Sequence, residues 1–110
     1  MEITTRDYRR VSVIRVVGRI DANTVAQFED KLKEYVETDH LHLVFEADAT
    51  TFLNSSGVRV LISAQKALKP RGGRLVIAQP SERVTEVLQI AGLESVIPVY
   101  PTTEAAVGAF

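Results

Sequence analysis

Residues 51–62 have the sequence TFLNSSGVRVLI, and the rest of the chain is organised around this stretch. It follows an apolar, strand-like run that ends at Phe45, and its own apolar residues have helical spacing. Ser55 and Ser56 therefore stand where a helix begins, so their hydroxyls cannot lie in a core. The first turn of a helix has unpaired N–H groups and a partial positive charge, and it favours a phosphate. The stretch makes Ser56 a candidate phosphorylation site on a small binding module.

The composition limits the classes of function that the chain can have. Its 110 residues suffice for one domain, and 45% of them are apolar, which is typical of a folded chain. The 13 basic and 14 acidic side chains give a net charge of −1, so no general field attracts nucleic acid or anionic lipid. The absence of cysteine excludes disulfides, thiolate metal sites and cysteine nucleophiles. With no signal-peptide run and no apolar stretch of ~20 residues, we expect a cytoplasmic protein without a membrane span.

Strand-like and helix-like segments alternate along the chain, which is typical of an α/β fold. The expected strands cover residues 2–10, 11–17, 40–46, 74–78 and 96–100, and the expected helices begin near residues 21–24, 56, 81 and 102. Arg9 and Arg10 are the expected turn between the first two strands. The prediction is one domain, residues 1–110, with a mixed, mainly parallel β-sheet, an antiparallel edge hairpin and about four α-helices.

Several local predictions concern the ends of these elements. Residues 18–21 should end the second strand, and residues 48–51 should cross from the third strand to the serines. Glycines at residues 72–73 and at Gly92 should end the second and third helices. Asn54 or Ser55 is the expected N-cap of the second helix, and Ser81 that of the third. The buried face of the third helix should consist of Val84, Val87, Leu88 and Ala91.

The sequence supports a catalytic or metal-binding role less well than a binding module. A serine at a strand-to-helix turn resembles a nucleophile elbow, but the elbow needs glycine two residues before the nucleophile and two after it. Around Ser55 these positions hold Leu53 and Gly57, so half of the pattern is missing. The only histidines that could act as a base, His40 and His42, lie at the beginning of the preceding strand, far from the serines. The same two histidines could share a strand face and bind a metal, but the sequence offers no third ligand near them. We expect no enzyme, metal or cofactor, although an enzyme that uses Ser55 or Ser56 stays an alternative.

Five further features occur in order along the chain. They are Gly18-Arg19-Ile20-Asp21, Asp48, Asn54-Ser55-Ser56-Gly57-Val58, Arg71-Gly72-Gly73 and Ala91-Gly92-Leu93. Together they resemble the STAS domains of the anti-sigma factor antagonist type over nearly the whole chain, and the serine motif is the most specific of them. The aspartate that usually precedes the serines in that family is Asn54 here, which can still cap the helix.

The resemblance implies a bacterial transcription regulator that works by binding. The unmodified protein would bind an anti-sigma factor that is also a serine kinase, and so release a sigma factor. Phosphorylation would end this binding, and a serine phosphatase would restore it. Carried over by position, the acceptor is Ser56. The alternative within the family is a non-phosphorylated STAS subunit of a transport or stress-sensing complex.

The resemblance also implies a partner-binding surface around the serines. Its expected members are Asp21, Asn23, Asp48, Leu53, Asn54, Ser55, Gly57 and Arg59. Arg59 lies three residues after Ser56 on the same helical face, so it should pair with the phosphate or with an acid on the partner. The chain should be a monomer or a weak dimer, since open edges at both ends of the sheet allow a dimer without requiring one, and it should bind no nucleic acid.

Overall fold

The computed structural model describes residues 1–110 and contains six strands and four α-helices. The strands are β1 (Glu2–Tyr8), β2 (Val11–Ile20), β3 (His42–Glu46), β4 (Thr50–Leu53), β5 (Arg74–Ala78) and β6 (Val99–Tyr100). The helices are α1 (Val25–Glu37), α2 (Ser55–Leu68), α3 (Glu82–Ala91) and α4 (Thr103–Gly108). Short 3₁₀ turns follow α2 at Lys69–Arg71 and α3 at Leu93–Ser95.

The strands form one sheet in the order β1-β2-β3-β5-β6, and β4 pairs with the far end of β2. β1 and β2 are antiparallel, and all other pairs are parallel. The predicted mainly parallel sheet with an antiparallel edge hairpin is therefore confirmed. So is the turn at residues 9–10, where Arg9 has a φ of 58°. The last strand, β6, lies at the edge of the sheet. Pro98, which has no backbone N–H, is tolerated there because an edge strand has no second neighbour to which that group would have to donate.

Several predicted strand ends are wrong: β3 begins at His42 rather than at residue 40, β6 covers only Val99–Tyr100 rather than residues 96–100, and two further differences lie next to the serine turn. β2 does not stop before Gly18 but continues to Ile20, because Gly18 adopts a φ of 108° and the pairing register shifts between Gly18 and Arg19. Across this irregularity Thr51 of β4 is left without a partner, and Arg19 and Ile20 of β2 pair with Phe52 and Leu53. The crossing at residues 48–51 is partly a strand, because β4 begins at Thr50. The buried Thr50 hydroxyl donates to the Val16 carbonyl oxygen over 2.9 Å and fixes this strand against β2.

Helices cover both faces of the sheet, and each face has its own core. α1, α2 and α3 cover one face with a cluster of 20 buried residues, in which the Phe28 and Phe45 rings lie 5.2 Å apart. α4 covers the other face with a smaller cluster of six, which includes Val44 and Ala106. In α3 only Val84 and Leu88 are fully buried. The prediction that Ala91 is buried is wrong, because Ala91 is the last residue of α3 and is exposed.

Candidate functional site

The serine pair stands on a well-capped helix end. Asn54 has extended backbone, and its side-chain oxygen accepts a hydrogen bond from the backbone N–H of Gly57 over 2.8 Å. Asn54 is therefore the N-cap of α2, and of the two residues that the sequence offered for this role, Asn54 and Ser55, the first is confirmed. The first turn of α2 contains no acidic residue, and Ser55 is exposed while Ser56 is half-buried. The positive end of a 14-residue helix is thus open to a negative group.

Gly57 lets this helix end approach the sheet very closely. A Cβ at Gly57 would lie 2.5 Å from Leu53 Cδ1 and 3.0 Å from Ile20 Cγ2. Both Gly57 and Leu53 are buried beneath the serines. Of the predicted partner-binding residues, these two are therefore placed to position the serine turn rather than to contact a partner.

Asp21 and Asn23 lie next to the serine turn. The backbone N–H of Asn54 donates to the Ile20 carbonyl oxygen over 3.1 Å, so the loop that follows β2 adjoins the cap. Asp21 shapes this loop, because its carboxylate accepts hydrogen bonds from the Asn23 N–H at 3.0 Å and the Thr24 hydroxyl at 3.2 Å. The Asn23 N–H is the main reason that the pKa of Asp21 is lower than usual, and Arg19 contributes further. The structure thus brings Asp21, Asn23 and the serines together.

Asp48 is placed differently. Its carboxylate pairs with Arg15, with 3.2 Å between Oδ2 and Nη2. Arg15 alternates along β2 with Ile14 and Val16, whose side chains belong to the core beneath α1, α2 and α3. By the alternation of a strand, Arg15 therefore points to the face that carries α4. The structure directs Asp48 to that face, away from the serine pair.

Sequence reasoning missed a buried acid at the centre of the α4 face. The side chain of Glu46 is only 6% exposed, and Arg6 donates two hydrogen bonds to it, at 3.2 and 3.0 Å. Arg15 Nε lies 3.4 Å from the same carboxylate, and the Thr103 hydroxyl of α4 donates to it. Hydrogen bonding to Arg6 is the main cause of the lowered pKa of Glu46. This cluster ties β1, β2, β3 and α4 together, so its role is to hold the fold.

Replacing Glu46 with glutamine should lower the free energy of unfolding at neutral pH by about 1–3 kcal/mol, because a buried, charge-assisted set of hydrogen bonds is lost. The folded chain holds the pKa of Glu46 below 4.5, its usual value, so the unfolded chain takes up this proton first as the pH falls. The stabilisation is complete above about pH 4.5 and disappears as the pH drops through the folded value. Urea unfolding between about pH 3 and pH 7 measures both effects.

Glu94→Gln is the matched control, because Glu94 is exposed and makes no ion pair. It should keep the wild-type stability and acid dependence. Identical acid dependence in wild type and Glu46→Gln would contradict this role of Glu46.

Arg59 and the end of α3 form a groove beside the serines. Arg59 is exposed and has no carboxylate within ion-pairing distance. The groove has a volume of about 370 Å³, and it is lined by Ser55, Val58, Arg59, Val87, Ile90 and Ala91. Ser55 and Arg59 are four residues apart and so lie on the same side of α2. Ser55, rather than Ser56, is the serine that borders this groove.

Other sequence features have local roles in the structure. His40 bonds to the Thr38 hydroxyl at 2.9 Å, whereas His42 stacks on Phe110 with 5.1 Å between the rings. No group of three or more histidine, aspartate or glutamate side chains is arranged to hold a metal ion. None of the helices has the length and apolar character required to cross a membrane.

Comparison with known proteins identifies the family of this architecture. The family model described as "STAS domain" matches residues 2–106. The chain belongs to the STAS domain family. Among curated relatives, the putative anti-sigma factor antagonist BtrV of Bordetella bronchiseptica is 27% identical over 110 residues, which are 100% of this chain and 95% of that protein.

Two solved structures agree with this assignment. An anti-sigma factor antagonist from Mycobacterium paratuberculosis superimposes with a TM-score of 0.90 at 27% identity, covering 98% of this chain and 92% of that one. The anti-sigma factor antagonist SpoIIAA in its unphosphorylated form gives a TM-score of 0.82 at 25% identity, covering 96% and 93%. The predicted resemblance to anti-sigma factor antagonists is therefore confirmed.

Proposed function

We propose that this protein is an anti-sigma factor antagonist that acts in the cytoplasm by binding and not by catalysis. In its unmodified form it binds an anti-sigma factor that is also a serine kinase, and the sigma factor is released. The observation that carries the proposal is the serine pair on the capped N-terminus of α2, with Ser55 exposed and Ser56 half-buried, next to the loop of Asp21 and Asn23. Relatives that cover nearly the whole chain have names describing the same function.

Phosphorylation of the serine pair would change the interface and leave the fold intact. A phosphate adds about −1.5 to −2 charges at neutral pH. The first turn of α2 has no acidic residue to repel this charge, and its N–H groups favour it. A partner that covers the serines would instead have to bury the phosphate, which is costly without new hydrogen bonds. The modification therefore prevents binding, and a serine phosphatase restores it.

Two hydroxyls compete for the role of acceptor. Ser56 is the acceptor that the sequence predicts, and Arg59 lies three residues after it. Ser55 is a second candidate, because it is the more exposed serine and shares the groove with Arg59. A kinase needs an accessible hydroxyl. Ser55 and Ser56 lie four and three residues before Arg59, which is the spacing of neighbouring side chains on a helix.

A phosphorylation assay tests the proposal and separates the two serines. The protein, Ser55→Ala and Ser56→Ala are each incubated with ATP and the purified anti-sigma factor kinases of the same genome, and intact mass is measured. We expect a single phosphate in the wild type, its loss in one variant and its retention in the other. If none of these kinases binds or phosphorylates the chain, and it purifies instead with transporter or stress-sensing subunits, the proposal is wrong.

A further inference from the structure

Ile90 is the most exposed large apolar side chain of the protein. It lies in the last turn of α3, and 88% of its surface is open to solvent, compared with 45% for Tyr8 and 41% for Val96. Single exposed apolar residues are common and need no explanation by themselves. The surroundings of Ile90 decide whether it has a role.

Ile90 borders the groove between the first turns of α2 and the end of α3. Val58, Val87 and Ala91 give this groove apolar walls, and Arg59 is the single charged residue that lines it. Because no carboxylate of the chain pairs with Arg59, its charge is available to a ligand. The groove therefore combines an almost wholly apolar depression with an exposed isoleucine at its rim, and the unpaired positive charge of Arg59 lies beside it.

The groove is also continuous with the serine site. Ser55 belongs to both, since it stands in the first turn of α2 and lines the groove. A protein that covers Ser55 and Ser56 on the side of Arg59 must therefore also cover the groove. The unpaired arginine favours a partner that carries a carboxylate at this point over one that carries a basic group.

We propose that this groove receives an apolar side chain of the anti-sigma factor, next to a carboxylate of that partner that pairs with Arg59. The inference rests on the proposed function and assigns the residues that extend its interface beyond the serines. Ile90 closes over the inserted side chain and loses its own exposed surface, as interface anchors do. Phosphate on either serine would neutralise Arg59 and repel the partner's carboxylate, so the groove and the switch act on the same contact.

The first test measures the affinity of the purified anti-sigma factor kinases for Ile90→Ser by calorimetry. The dissociation constant should rise by about 10-fold or more, because the burial of one large apolar side chain is lost. Its melting temperature should stay unchanged, since Ile90 is 88% exposed and serine has a similar helix propensity. Val96→Ser is the matched control, because Val96 is exposed but lies outside the groove, and its affinity should equal that of the wild type.

The outcomes separate the inference from the function on which it rests. If the wild type binds a kinase and Ile90→Ser binds it equally well, the groove is not part of the interface, while the proposed function stands. If the wild type binds none of the kinases, both are wrong.

Arg59→Glu tests the assignment of the carboxylate. Its affinity should fall by about 10-fold or more, and the weakening of binding by added salt should be smaller than in the wild type. Unchanged affinity with an unchanged salt dependence would show that the partner places no carboxylate at Arg59.

Discussion

Replacing Gly73 with alanine should lower the free energy of unfolding by about 3 kcal/mol, the upper end of the usual cost of overpacking. A Cβ at this position would lie 2.7 Å from Leu41 Cβ and still closer to the Leu41 carbonyl oxygen. The segments before β3 and β5 cannot separate easily at this point. The Leu41 carbonyl oxygen accepts a hydrogen bond from the Arg74 N–H at 2.9 Å, and the Gly73 N–H donates to the Leu68 carbonyl oxygen at 3.0 Å. Urea unfolding of the variant and the wild type measures the difference.

Gly108→Ala is the control for the same substitution without the same contact. Gly108 lies in α4, and nothing lies within 4 Å of a Cβ placed there. Alanine in a helix is more favourable than glycine by up to about 1 kcal/mol, so this variant should be as stable as the wild type or slightly more stable. Equal stability of Gly73→Ala and the wild type would mean that β3 and β5 start farther apart than in the structure.

The features that the sequence predicted well are those that a few neighbouring residues determine. Gly72 and Gly92 take left-handed conformations at the ends of helical segments, with φ of 77° and 63°. Asn54 and Ser81 cap their helices through hydrogen bonds to N–H groups three residues later. Each of these depends on local backbone chemistry, so a short stretch of sequence suffices to predict it.

The features that were missed depend on which strands become neighbours. β4 has four residues and no periodic pattern of its own, and it is a strand because it pairs with β2, more than 30 residues away in the chain. Glu46 meets Arg6 across 40 residues of sequence and Thr103 across 57. Nothing in the sequence next to Glu46, Arg6 or Arg15 indicates that these three side chains, each from a different strand, would form one cluster.

The candidate site was predicted in part for the same reason. The helix end and the position of the serines in its first turn follow from the local sequence around the Asn54 cap. The burial of Leu53 and Gly57, and the pairing of Asp48 with Arg15, follow from how β2, β4 and α2 pack. The greater exposure of Ser55 than of Ser56 depends on the rotation of α2 against the sheet, which helical spacing alone does not determine.

Aspartate in place of the acceptor serine, tested as Ser56→Asp and separately as Ser55→Asp, should weaken binding of the anti-sigma factor by about 100-fold. The melting temperature of both variants should stay nearly unchanged. An unpaired charge that a partner must bury costs about 2–5 kcal/mol of binding free energy. The same charge in the first turn of α2 interacts favourably with the helix dipole, by about 0.3–1 kcal/mol, so the fold itself tolerates it. Calorimetric titration with the anti-sigma factor gives the affinity, and thermal unfolding gives the stability.

Ala67→Asp is the control that separates position from charge. Ala67 is exposed on the same helix, eight residues beyond Arg59 and outside the groove that contains Arg59. Its aspartate variant should bind the anti-sigma factor about as tightly as the wild type, because the added charge lies away from both the capped end and Arg59. Equal affinities for Ser55→Asp, Ser56→Asp and Ala67→Asp would rule out a switch at the serine pair. A Ser56→Asp protein that unfolds would instead mean that the half-buried Ser56 hydroxyl is structural, and the prediction of Ser56 as the acceptor would be wrong.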